Sequence, residues 1–421
     1  MGRIKLEETA NQETFRSYMF FFSGQLFSLL GSLVVFFVIS VWITDETGSA
    51  VMLSIANFIF LIPTLVFFPI AGVISDRYNR KKIILIADSL QAYLSLILTL
   101  LFIVDFTELW AVFTLIGLRS VCQAFHQPTV SAIIPSMIPK NKLSRVNGIR
   151  YLFLGIVQFV GPALGATLLY FFPIKYILWI DVITFFIALV PLITLKTPTI
   201  QIDTEGQEKS SFSKEIRSGF TILRAVPGLL IIMVLAMLLV MLSQPAMVLA
   251  PFFIKIVHGG SNFTLALIEM IIQGGMIIGS IVVYLKKMWK NRMRTFFIGI
   301  MLMNIGYLVY GLAPIGFYPM LWIGSFIMGI IMPVVNTIVI TVTQISVPLD
   351  KMGRVSSLLN LLMMIASPLG TILAGPLSDI IGVSNLYILC ALFSIGVTII
   401  PYAFTGIRHI DYDQPTLGFM K

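Results

Sequence analysis

Gly72-Val73-Ile74-Ser75-Asp76-Arg77-Tyr78-Asn79-Arg80-Lys81-Lys82 closes one long apolar run, 51–75, and opens the next, 83–104. Its seven residues from Asp76 to Lys82 hold one acid and four bases. A connection this short makes the flanking helices antiparallel neighbours. Short basic loops resist translocation, which assigns this turn to the cytoplasmic side of a bilayer. Gly72 is expected to let another helix approach closely. Asn79 is one of the few non-glycine residues that tolerate φ > 0 in a tight turn. A loop that merely sets topology needs only positive charge, and the ordered Gly–Asp–Arg–Arg–Lys spacing is more than that.

Working outward, hydrophobic residues make up 58% of the chain and charged residues 11%, against roughly 25% charged in soluble globular proteins. The chain therefore reads as a polytopic membrane protein with the lipid bilayer as its solvent. The bases behind its net charge of +9 are unevenly placed. Of 28 Lys and Arg, 25 fall at one set of span ends and tails, Lys175 and Lys255 at the opposite ends, and Arg119 inside a run. That asymmetry fixes orientation by the positive-inside rule. A nucleic-acid partner does not explain the charge, because no single basic face remains once the loops are separated. Cys122 and Cys390 both lie inside apolar runs, so neither a disulfide framework nor a metal spacing exists. The first 16 residues mix acids and bases, and the run 17–43 is long enough to span, so a cleaved leader is not expected.

A span needs about 20 apolar residues. Twelve such runs are present: 17–43, 51–75, 83–104, 109–134, 146–171, 175–196, 228–254, 262–285, 295–313, 318–345, 354–380 and 385–406. Both termini then lie in the cytoplasm. The polar segment 197–227 divides the chain into an N-terminal six-helix bundle (1–196) and a C-terminal one (228–421). Within the linker, Phe212, Ile216, Gly219, Phe220 and Leu223 recur at helical spacing, which reads as an amphipathic helix lying on the inner membrane surface. An internal repeat supports the division. Pro139-Lys140-Asn141-Lys142-Leu143-Ser144-Arg145-Val146 precedes span 5, and Pro348-Leu349-Asp350-Lys351-Met352-Gly353-Arg354-Val355 precedes span 11, offset by 209 residues. Matching loops in two halves imply pseudo-symmetry with a central site.

These features resemble the major facilitator superfamily over the whole chain. Gly72 to Lys82 matches its first signature loop, Gly-x-Leu-x-Asp-Arg-x-Gly-Arg-Lys, with Ile74 for Leu and Asn79 for the second Gly. A narrower resemblance, to the branch holding the macrolide and enterobactin exporters, lies in Thr47-Gly48-Ser49-Ala50, Arg119 to Pro128, Ile180-Asp181-Val182 and Gly353-Arg354-Val355. The resemblance implies an all-α membrane fold of twelve transmembrane helices in two pseudo-symmetric six-helix bundles. It also implies that the first, fourth, seventh and tenth helices line the central cavity.

Arg119 lies about ten residues, hence about 15 Å, into span 4. A central Arg disfavours insertion by about 2.5–3.5 kcal/mol, so it should face protein or a wet cavity. Gln123 and His126 follow at i+4 and i+7 on the same face. The superfamily resemblance implies a proton-coupling role for Arg119; the bland alternative is an Arg tying helices together through backbone carbonyls. Glu269, about seven residues into span 8 with Gln273 one turn on, is the second proton-coupling candidate and a possible contact for a cationic cargo. Its bland alternative is a solvated acid at the rim. Asp88 and Asp181 read as structural pairing partners, Asp88 within reach of the basic loop. Span 5 resembles the antiporter signature at Gly148, Gly161, Pro162 and Gly165, with Val157 in place of its second glycine. Such small residues also serve ordinary tight packing. Gln25, Gln123, His126, Gln244, Gln273, Asn336 and Thr337 are the expected cargo contacts. Gating falls to Gly72, Asp76, Arg77, Arg80, Gly161, Pro162, Gly165 and Arg354.

The expected function is secondary transport, namely proton-coupled export of an amphiphilic small molecule, macrolide-like or siderophore-like, by a monomer in the plasma membrane. An importer or lysophospholipid flippase on the same scaffold, or a receptor that has lost transport, stays open. No nucleotide loop, metal cluster or nucleophile–base pair is present, so neither an enzyme nor a cofactor is expected.

Overall fold

The computed structural model describes residues 12–139, 142–195, 220–286, 291–347 and 349–410. Among them are twelve helices long and apolar enough to cross a membrane. They are α1 (Gln12–Thr47), α2 (Ala50–Arg77), α3 (Arg80–Ile103), α4 (Leu109–Met137), α5 (Leu143–Phe171) and α6 (Ile174–Thr194, broken by a turn at Leu178). The second set is α7 (Leu229–Val248), α8 (Asn262–Leu285), α9 (Arg292–Gly311), α10 (Tyr318–Ser346), α11 (Leu349–Ile381) and α12 (Val383–Phe404). All twelve apolar runs are helical, and no strand occurs among the described residues. The helices form two compact units, Met1–Gly48 with Ile55–Asp203 and Ser49–Ser54 with Thr204–Lys421.

One helix stops earlier than hydropathy suggests. The run 228–254 continues past α7, but α7 ends at Val248, followed by a short turn, Ala250–Phe252, and a π-helical segment, Phe253–Val257. Pro251 has no N–H to give to the carbonyl four residues back, so the α-helical ladder fails there.

Close packing in the first unit centres on α1, and small residues make it possible. A Cβ on Gly24 would lie 2.9 Å from Pro191 Cγ and 3.2 Å from Ala188 Cα on α6. On the opposite flank, Cβ atoms on Gly161 and Gly165 of α5 would lie 2.9 Å from Leu33 Cβ and 2.8 Å from Phe37 Cδ1. Gly161 and Gly165 are thus packing positions for α1; Pro162 lies between them inside the helix. In the second unit a Cβ on Gly275 of α8 would meet Phe326 O of α10 at 3.0 Å, and one on Gly306 of α9 would meet Ile327 Cγ2 at 2.9 Å. Lipid tails are as apolar as leucine, so membrane helices associate through such close van der Waals fit.

The basic turn departs from expectation in two ways. Asn79 has φ −62° and ψ 111°, and its side chain accepts from the Lys82 N–H. It is the N-cap of α3, a role for which Asn is favoured, and not a left-handed turn residue. Gly72 has nothing within 4 Å of where a Cβ would stand, so no close helix approach depends on it. Two of the four bases, Arg80 and Lys81, instead serve helix ends. Arg80 Nη1 donates to Ala132 O (2.8 Å) near the end of α4, and Arg80 Nε to Ser75 O (3.3 Å) in the last turn of α2. Lys81 Nζ donates to Ile193 O (2.5 Å) in the last turn of α6. Ser75 O and Ile193 O lie in last turns whose carbonyls lack a helical donor, so those contacts satisfy orphan acceptors. Cations near all three helix ends oppose the helix dipoles. Arg80→Gln is expected to lower stability by about 1.5–3 kcal/mol, the range for hydrogen bonds from a charged group. Arg77 is exposed and bonds to no described residue, so Arg77→Gln should stay within about 0.5 kcal/mol. Thermal unfolding of both variants in detergent checks the contrast, and equal melting curves would sink it.

Both copies of the repeated octapeptide open a helix, and their valines are core residues: Val146 in the first unit's cluster, Val355 in the second's. The amphipathic stretch of the linker is described only from Phe220. There Ile222, Leu223 and Val226 pack into the second unit's core beside Leu229, Met233 and Phe296. Of the apolar face, Leu223 is covered by protein, while Phe220 is exposed.

Candidate functional site

Three helices of the first unit carry polar residues seven apart: Gln25 and Ser32 on α1, Asp88 and Ser95 on α3, Arg119 and His126 on α4. Seven residues are two turns, about 10 Å of helix. Each helix therefore gives one residue to each of two polar layers.

The first layer is built on Asp181, delivered by α6. Arg119 Nη2 lies 2.9 Å from Asp181 Oδ2, with side chains 12% and 4% exposed. Ser32 Oγ donates to Asp181 Oδ1 (2.8 Å) and Ser95 Oγ to Asp181 Oδ2 (2.5 Å). Arg119 Nη1 donates in turn to Ser95 Oγ (2.6 Å), and Gln91 Nε2 to Ser32 Oγ (3.2 Å). The Arg119 partners are side chains rather than the backbone carbonyls of the bland alternative. The charges cancel, which removes most of the penalty for holding either one at this depth.

The second layer holds Asp88, Gln25 and His126. Gln25 Nε2 donates to Asp88 Oδ2 (3.2 Å), and Gln25 Oε1 faces His126 Nε2 (2.9 Å). His126 Nε2 also lies 3.3 Å from Asp88 Oδ1. Turning the amide of Gln25 over would aim its oxygen at a carboxylate, so its orientation is set by chemistry. Oε1 is then an acceptor, and Nε2 of His126 must carry the hydrogen between two acceptors. His126 Nδ1 is buried and meets no partner among the described residues. Asp88 therefore pairs within the helix bundle and not with the basic loop, whose Arg80 and Lys81 are engaged at helix ends.

Glu269 on α8 is half-buried and makes no hydrogen bond or ion pair with a described residue. The buried Tyr310 on α9 is close enough to feel its charge. Beyond the end of α7, His258 is 3% exposed, with its ring edge-on to Phe253 at 4.5 Å. Gly316 N–H donates to His258 Nδ1 (3.2 Å) and Tyr318 Oη to His258 O (3.2 Å). Burial pushes the His258 pKa below its ordinary 6.5. The folded state thus holds this ring neutral where the unfolded chain already binds a proton. Stability is flat above pH 6.5 on this account and falls as pH drops through 6.5, because the unfolded state takes up the proton first. Melting temperature should decline from pH 7 to 5, and His258→Gln should flatten that slope; an unchanged slope would remove the assignment.

The remaining expected residues separate into two groups. Gln244 is buried, accepts from Thr371 Oγ1 (3.3 Å) and donates to Val240 O (3.5 Å), so it ties α7 to α11 instead of offering its amide to a cargo. Gln25 is likewise spent on Asp88 and His126. Gln123, Gln273 and Thr337 are half-buried, Asn336 is exposed, and none of the four makes a side-chain bond to a described residue. The side chains of Asp76 and Arg354 lie outside the described residues, as does the structure of Arg354's own neighbour Gly353 beyond its helical backbone. Ser95 and Gln91 were not picked out from sequence. The seven-residue spacing shared by α1, α3 and α4 is the signal that finds Ser95.

The family model of the Major Facilitator Superfamily matches residues 21–371. The chain belongs to this superfamily. Among superfamily relatives, macrolide efflux protein A of Streptococcus pyogenes is 28% identical over 389 residues, covering 92% of this chain and 96% of that protein. Macrolide efflux protein A of Enterococcus faecalis is 28% identical over 323 residues, 77% of this chain and 99% of that one. A crystal structure of a POT family transporter with a thioalcohol-conjugated peptide aligns with TM-score 0.72 at 14% identity, over 95% of this chain and 99% of that chain. That likeness bears on the fold alone. The chain is thus a multi-pass membrane protein of a transporter superfamily, similar over most of its length to macrolide efflux proteins.

Proposed function

We propose that this chain is a proton-driven exporter of amphiphilic small molecules of the macrolide type. It works by alternating access, as a monomer in the plasma membrane with both termini cytoplasmic. The observation that supports this best is the ionisable core of α1, α3, α4 and α6, where Arg119, Asp181, Asp88 and His126 are held inside membrane helices. Ionisable groups at such depth are costly and mark ion or substrate pathways. The cargo class follows the similarity to macrolide efflux protein A. Arg119 and Glu269 carry the coupling in this reading. Gln123, Gln273, Asn336 and Thr337, whose polar groups bond to none of the described residues, meet the cargo. Gating belongs to Asp76, Arg77 and Arg354.

Inside-out membrane vesicles from a host lacking its own drug pumps test this. An acid-inside gradient should drive uptake of a radiolabelled macrolide, and nigericin should abolish it. Uptake indifferent to nigericin, or running only with the opposite sidedness, would sink the reading. A growth panel of macrolides, dyes and siderophores in the same host then ranks the cargo classes.

A further inference from the structure

We infer that the Asp88–Gln25–His126 cluster is a proton-binding site, in which His126 accepts an exchangeable proton at Nδ1. Charge counting motivates it. The Arg119–Asp181 pair is neutral as it stands, with its carboxylate engaged by Arg119, Ser32 and Ser95. The second layer has a buried carboxylate, Asp88, against which the described residues set a neutral amide and an imidazole. One additional proton makes that layer neutral too.

Geometry decides where the proton goes. Both oxygens of Asp88 are engaged, Oδ2 by Gln25 Nε2 and Oδ1 by His126 Nε2. Nε2 of His126 already carries hydrogen between two acceptors. Nδ1 is the vacant lone pair, buried and without a donor among the described residues. Uptake forms an Nδ1–H bond while an O–H bond of a hydronium ion breaks and water leaves. The imidazolium then faces Asp88 at 3.3 Å. Gln25 acts as a positioning residue, since its amide fixes which nitrogen stays open. The other charged groups around the ring are few. Asp181 from α6 reaches Asp88 electrostatically, α4 itself carries Arg119 and Cys122, and Arg80 bonds the α4 backbone at Ala132. Toward α2, α4 presents Phe125 against Phe67 and Ser120 against Thr64, neither pair titratable. The proton belongs to the pair, so removing Asp88 must alter how His126 binds it.

The transport part of the test rests on the proton-driven reading above, and the spectroscopic part does not. The chain has three histidines, His126, His258 and His409. In ¹⁵N-histidine NMR of the purified full-length protein in nanodiscs, His126 is the imidazole missing from the His126→Gln spectrum. Should that variant not fold, His258→Gln and His409→Gln identify it by elimination. At high pH it should show the Nε2–H tautomer, and on acidification both nitrogens should converge on the imidazolium shift. Asp88→Asn should move that midpoint down by about 1–3 pH units, the effect of losing an adjacent anion. An Nδ1–H tautomer, a ring that never titrates between pH 4 and 9, or a midpoint indifferent to Asp88→Asn overturns the proposal. In vesicles, His126→Gln at equal abundance should lose the nigericin-sensitive part of uptake. Wild-type uptake insensitive to nigericin defeats the proton-driven reading while the NMR still decides this site. Nigericin-sensitive uptake retained in His126→Gln defeats this site alone.

Discussion

Arg119→Gln is expected to cost the first unit about 3–5 kcal/mol, because it strands Asp181 as a buried carboxylate whose cation is gone. Asp181 is 4% exposed and already takes hydrogen bonds from Ser32 and Ser95. Those two hydroxyls cannot neutralise it. The glutamine amide is also too short to reach both Ser95 and Asp181 as the guanidinium does. A net stability of 5–15 kcal/mol is usual for a folded domain, so the loss should appear as poor recovery from detergent and a much lower melting temperature. Asp181→Asn should be costly for the mirror reason, leaving Arg119 uncompensated. The double variant Arg119→Gln/Asp181→Asn should recover most of the lost stability, since a hydrogen-bonded amide pair carries no buried charge. It should nonetheless fail to transport under the proposed function. The account is refuted by a single variant that melts with the parent, or by a double variant no better than the worse single.

Glu269→Gln is expected to do the opposite: leave folding alone and remove coupling. Glu269 has no hydrogen bond or ion pair to lose among the described residues, and glutamine matches its shape. Abundance and melting temperature should therefore stay within about 0.5 kcal/mol of the parent. The charge itself is what the exporter reading uses. A charge-assisted contact is worth about 1.5–3 kcal/mol, so a cationic macrolide should bind about 10–100-fold more weakly. Uptake driven by an acid-inside gradient should fall accordingly, while a neutral dye should keep its affinity. Binding by tryptophan quenching and vesicle uptake, run side by side, separate the two effects. Full retention of gradient-driven macrolide uptake would remove Glu269 from the mechanism. Arg119 and Glu269, grouped together by sequence as coupling residues, differ because Arg119 is paired and Glu269 pairs with none of the described residues.

Much of the molecule was legible in the residues themselves. Twelve apolar runs gave twelve helices, because a bilayer leaves the backbone no partner but itself, and each span must be helical wherever it sits. The family resemblance carried by the basic turn, Arg119 to Pro128 and Gly353-Arg354-Val355 held at the level of the family model and the macrolide efflux relatives. The end of α7 was not legible from hydropathy. Pro251 interrupts the helix without interrupting the apolar run, so composition is blind to it. The N-cap at Asn79 was also missed, although Asn ahead of a helix is a recognised start signal.

The partners of the site residues were a different kind of question. From sequence, Asp88 and Asp181 read only as structural pairing residues on spans 3 and 6, with no partner named beyond the basic loop. Which cation meets which carboxylate depends on how α1, α3, α4 and α6 are rotated and staggered against one another. Gly24 and Gly31 on α1, lying against α6, help to set that register. Sequence alone determined the span count, the helical character of every span and that Arg119 faces protein or a wet cavity, since each follows from the cost of exposing polar groups to hydrocarbon, and the signature residues carried the family. Only the tertiary structure decided that the partner is Asp181, that Asp88 holds His126 through Gln25, and that Glu269 pairs with none of the described residues. Those facts are distances between helices far apart in the chain, and short-range pattern contains no term for them.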